Sequence, residues 1–130
     1  MFKKKTPKYL NYYYMSTADL SAKALSTAIL NNLPQYKEQL ECWDAAGVIE
    51  IELGEKSSID IEKLPLFEDE SDQKFLKKHQ IQSIFSIQLL DSDLDSLKAI
   101  FTAVTINLGG FVCADTENFQ PYLIAPKSAK

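Results

Sequence analysis

Arginine is absent from these 130 residues. All fourteen basic residues are lysines, and six of them (Lys3, Lys4, Lys5, Lys8, Lys127 and Lys130) sit at the two ends. Planar, bidentate recognition of phosphate favours the guanidinium group, so nucleic acid is a poor partner for this chain. Histidine occurs once, as His79, which leaves general-base chemistry one imidazole to use. Cysteine occurs twice, as Cys42 and Cys113, far apart and in no Cys-x-x-Cys arrangement. Two such thiols exclude a disulfide framework and read as reduced, partly buried side chains. No apolar run approaches the roughly 18 residues of a membrane span, so no membrane partner is expected.

What the chain has is acid. Between Tyr9 and Pro126, eight lysines stand against eighteen Asp and Glu, a net −10, compared with −4 for the whole chain. Such a body suits a basic protein partner. The densest run is Glu68, Asp69, Glu70 and Asp72, with only Lys74, Lys77 and Lys78 as nearby cations. It is the expected partner-binding surface, with Asp91, Asp93 and Asp95 as the second choice. The length fits one domain spanning 1–130. Residues 1–8 read as a flexible basic arm and 125–130 as a flexible tail. The basic start is followed by Tyr9-Leu-Asn-Tyr-Tyr-Tyr-Met15, too short and polar for a signal-peptide core. An unprocessed cytoplasmic protein is expected.

The hydrophobic pattern predicts an α+β fold. Tyr9–Met15 is β-prone, with Leu10, Tyr12 and Tyr14 on one side. Ser16-Thr-Ala-Asp19 resembles a capping box, followed by Leu20, Ala24, Leu25, Ala28 and Ile29 at helical spacing, so a helix is expected over 17–32. Pro34 breaks it. Tyr36, Leu40 and Trp43 at i, i+4, i+7 suggest a second helix that ends at Gly47. Val48–Leu53 alternates as a half-exposed strand, and Ile59–Glu62 returns after a turn to make a hairpin. A short helix over 71–79 precedes the strand Ser83–Leu90, whose Phe85, Ile87 and Leu89 face one side. Asp91-Ser-Asp-Leu-Asp95 supplies cap acids to a helix that runs to Leu108 and carries Leu97, Phe101 and Val104. Gly109-Gly110 stops that helix, Phe111–Ala114 is a strand, and Phe119–Ile124 adds an edge piece. The order is βαββαβ with an inserted loop and short helix. It implies a ferredoxin-like sandwich: an antiparallel sheet with both main helices on one face.

No catalytic constellation assembles from spacing. His79 follows the cationic Lys77 and Lys78 at a helix end and reads as a C-terminal cap. Cys113 lies in an apolar strand instead of the cationic setting that activates a thiol. Asp91-x-Asp-x-Asp95 lacks the Gly and Glu of a calcium loop, having Ser96 and Thr102 there, so no metal is expected. Gly109-Gly110 follows a helix, whereas a phosphate loop would precede one. No cofactor is expected, and the reading is non-enzymatic.

From Ser83 the chain runs Ser-Ile-Phe-Ser-Ile-Gln-Leu-Leu-Asp91, then a helix from Leu94 to Leu108, then Gly-Gly-Phe-Val-Cys-Ala-Asp115. This succession over about a third of the chain resembles the second half of small bacterial immunity proteins that accompany polymorphic or contact-dependent toxins. The resemblance implies an acidic cytoplasmic protein that neutralises a basic toxin domain, and carries over no functional residue. The alternative is an ACT-like small-molecule-sensing domain, which shares the βαββαβ order. The Gly expected there between strand and helix is replaced by Asp91-Ser-Asp93.

Overall fold

The computed structural model describes residues 8–127. The expected basic arm (apart from Lys8) and the last three residues of the expected tail lie outside them. Seven strands form one sheet: β1 Tyr9–Ser16, β2 Leu40–Trp43, β3 Val48–Gly54, β4 Ser57–Leu64, β5 Ser83–Leu90, β6 Phe111–Ala114 and β7 Tyr122–Ile124. Three helices accompany them: α1 Ala22–Asn32, α2 Glu70–Lys78 and α3 Leu94–Leu108. The sheet order is β2-β3-β4-β5-β1-β6-β7, and every pairing is antiparallel. The sheet is thus larger than the four strands expected of βαββαβ, and β4 stands between β5 and β3, which that skeleton makes neighbours.

Two helix expectations are corrected. α1 starts at Ala22, five residues later than expected, because Ser21 is the residue whose hydroxyl accepts from the Ala24 N–H at 3.0 Å. Ser16 instead ends β1, buried, and its hydroxyl closes a local turn on Ala18 N–H. The second helix does not form. Pro34–Tyr36 is one 3-10 turn, and Leu40–Trp43 is a strand on the sheet edge. In so short a stretch, helical and alternating periods coincide. Pairing with β3 decides the matter, since Leu40 and Cys42 sit opposite the buried Ile51 and Ile49.

α1 and α3 share one core with the sheet. Leu25 and Ile29 of α1 and Leu97, Ile100, Phe101 and Val104 of α3 are buried with Tyr14, Ile49, Ile51, Ile59, Ile61, Phe85, Ile87 and Leu89. On the other face, the segment between β4 and β5 folds back. Phe67 and the α2 residues Phe75 and Leu76 join Phe119 over Met15, Ile84, Phe111 and Cys113. That second core covers the β1–β6 end of this face and leaves the β2–β5 part open.

The junction after α3 depends on Gly110. Its φ is +84°, and a Cβ there would collide with the Met15 carbonyl oxygen and crowd the Tyr14 ring. Gly110→Ala is expected to cost at least about 1–3 kcal/mol from backbone strain alone, more as β1 must shift. Chemical unfolding followed by circular dichroism would measure it, and an unchanged midpoint would contradict the packing.

Candidate functional site: the open acidic face of the sheet

Strand alternation sends one side chain in two to the open face. From β2 these are Glu41 and Trp43, from β3 Val48, Glu50 and Glu52, and from β4 Ser58, Asp60 and Glu62. The registers then line up three acids. Glu41 pairs with Glu50, and Glu50 pairs with Asp60. The row continues through Gln88 of β5 and Asn11 of β1, and Asp115 N–H donates to the Asn11 carbonyl just beyond it. With strands spaced at roughly 4.8 Å, the three acids span about 10 Å with no cation among them.

Like charges directly opposite each other destabilise a sheet. Partial burial, followed by the carboxylates of Asp60, Glu52 and Glu41, raises the Glu50 pKa above the ordinary carboxylate value. Among the described residues the one ion pair is Lys63 with Asp19, at 3.4 Å, so no lysine neutralises the row. Because its folded pKa exceeds its unfolded one, Glu50 holds a proton more tightly in the fold. Stability therefore falls as pH rises from the ordinary carboxylate range through the raised value, and acidification through that window restores it. Glu50→Gln should remove this part of the pH dependence. Urea midpoints of the two proteins across a pH series would check it, and parallel curves would contradict it.

Asp60 at the end of the row lines a groove that adjoins a second one at Tyr13 and Asp115. The first, about 360 Å³, is lined by Asn11, Tyr13, Asp60, Glu62, Gln88 and Asp115, among others. The next, about 630 Å³, is lined by Tyr13, Phe67, Asp69, Asp72, Asp115 and Glu117, among others. Tyr13 marks the seam, its hydroxyl donating to Asp115 Oδ1 at 3.0 Å. Burial first, then that bond, pushes the phenol up to about 12, so it stays a donor. Two exposed aromatic rings flank the acids on this face. Trp43 (47% exposed) stands opposite Val48 on the β2 edge, and Tyr9 (59% exposed) begins β1 on the Asn11 side.

The acids singled out from the sequence divide. Asp69 caps α2, accepting from Ser71 N–H at 2.9 Å and from the Ser71 hydroxyl at 2.6 Å; these bonds lower its pKa. Glu70 and Asp72 lie in the first turn of α2, where they complement the helix dipole. Burial, and then Asp69, raises the Asp72 pKa. Asp69 and Asp72 both reach the second groove, while Glu68 is exposed and does not line it. Asp91, Asp93 and Asp95 lie beyond β5 at the start of α3 and line neither groove. Asp93 occupies the N-cap position, yet its side chain makes no cap bond, and its buried Oδ2 finds no partner among the described residues.

Glu41, Glu50 and Asp60 were not singled out from the sequence. The alternation of Glu50 with Glu52 was visible there, but the register that joins three strands was not. Burial, then Asp115, pushes the Cys113 thiol up to about 12, so it is held as an inert thiol. Cys42 is half-buried and free. No three His, Cys, Asp or Glu side chains among the described residues are arranged to hold a metal ion. No helix among them is long and apolar enough to cross a membrane. No known protein family, curated protein or solved structure matches this chain.

Proposed function

We propose that this chain is a non-enzymatic binding protein that captures a basic protein partner on the open face of its sheet. The observation that carries the reading is the in-register row Glu41, Glu50 and Asp60. A sheet that holds three carboxylates opposite one another gives up stability, and a cationic partner would recover it. Asp115, Glu117, Asp69 and Asp72 extend the negative surface past Tyr13. Trp43 and Tyr9 offer the aromatic area that anchors an interface. Within this reading the partner is a basic toxin domain met in the cytoplasm, and the chain acts as an immunity protein that covers its working surface. We also read β6-β1-β5-β4 with α1 and α3 as a ferredoxin-like core, to which the β2–β3 hairpin and β7 are additions.

Affinity capture from lysate of the source cells, at low and high salt, tests the proposal. Wild-type protein should retain a basic protein at low salt, and E41Q/E50Q/D60N should lose it. An acidic partner, or equal retention by the triple variant, would overturn the reading.

A further inference from the structure

At the covered end of the molecule lies a pocket of opposite character. Its volume is about 400 Å³, and it is lined by Thr17, Lys78, His79, Gln80, Gly109, Gly110, Phe111, Pro126 and Lys127. No lining residue is acidic, although the body around it carries a large negative charge. Neither Lys78 nor Lys127 has a carboxylate within ion-pair distance among the described residues. Two lysines and the one histidine therefore line a cavity whose wall carries no acidic residue.

The walls are built, not incidental. The His79 ring is held between Phe75, at 4.6 Å between centroids, and Phe111, at 5.0 Å. Three of the five left-handed residues among the described residues line this pocket: Gln80 (φ 56°), Gly109 (φ 74°) and Gly110 (φ 84°). Gly110 is explained by its approach to Met15. Gln80 closes α2: its N–H donates to the Lys77 carbonyl and the N–H of Ile81 to the Leu76 carbonyl, the usual left-handed ending of a helix, which fixes this wall of the pocket. Burial, and then Lys78, lowers the His79 pKa.

We propose that this pocket binds a small phosphate-bearing molecule. The phosphate would lie between Lys78, His79 and Lys127, with the Thr17 hydroxyl and the Gln80 amide as further donors, and the organic part would rest on Phe111 and Pro126. Lysines act here as point charges toward a dianion, which needs no guanidinium fork. The volume falls within the range of small-molecule sites. The proposal is independent of the acidic face.

His79 is the only histidine, so its ring resonances report the pocket without assignment ambiguity. The intact protein is titrated with inorganic phosphate, phenyl phosphate and acetate at constant ionic strength. Both phosphates should shift the His79 signals saturably and raise its titration midpoint, with phenyl phosphate binding the tighter. K78Q and K127Q should each weaken binding roughly tenfold, about the worth of one charge-assisted contact. K98Q and E41Q/E50Q/D60N should bind as wild type does. A response that does not saturate, wild-type affinity in both pocket variants, or acetate binding as tightly as phosphate would overturn the proposal.

Discussion

Phe101→Ala is expected to destabilise the fold by about 3–5 kcal/mol, the loss typical of a large core side chain and the cavity it leaves. Phe101 is fully buried at the centre of α3. Its ring lies 5.3 Å from that of Tyr14, which in turn stacks on Phe85 at 6.2 Å. Tyr14 and Phe85 face each other across β1 and β5, so the three rings join α3 to the two central strands. Both the helix and the strands are framework, and the site has little room to collapse. Against a total stability of about 5–15 kcal/mol, such a loss takes a large share. Urea unfolding followed by circular dichroism measures it, and a loss below about 1 kcal/mol would contradict the packing.

Neutralising the ladder with E41Q/E50Q/D60N is expected to move stability and binding in opposite directions. Two directly opposed like-charged pairs disappear, each worth roughly 0.2–1 kcal/mol, so the fold should gain up to about 2 kcal/mol. The same change removes the field that draws a cationic partner. Steering of this kind raises association rates by about 10-fold or more, so association should slow by about that factor at low salt. A variant that is more stable and binds more slowly would separate function from folding. A variant that is less stable would show that the three carboxylates are held by contacts instead of opposed to one another.

Much of the framework was legible because each element has a local cause. Phe85, Ile87 and Leu89 alternate, and β5 follows. Leu97, Phe101 and Val104 recur at helical spacing, and α3 follows. Those side chains are buried with Phe85, Ile87 and Leu89, as their phases imply. α1 was misplaced at its start because Ser16 and Ser21 both offer a cap and sequence cannot say which backbone turns helical first. β2 was misread because its four residues are held by hairpin pairing with β3, a cross-strand contact that leaves no period of its own. The ladder was invisible for the same reason. Glu41, Glu50 and Asp60 are separated by nine and ten residues in the chain, and only the registers place them side by side. The run from Glu68 to Asp72 was conspicuous because it is contiguous, yet part of its charge serves to start α2.

The most direct measurement is the association rate of the captured basic partner with three proteins at roughly 0.05 and 0.5 M salt, which span weak and strong screening. The proteins are wild type, E41Q/E50Q/D60N and E68Q/D69N/E70Q/D72N. If the partner docks on the open face, the ladder variant associates slowest, the second variant falls between, and the differences shrink at high salt. A ladder variant that associates at the wild-type rate at low salt would contradict that docking.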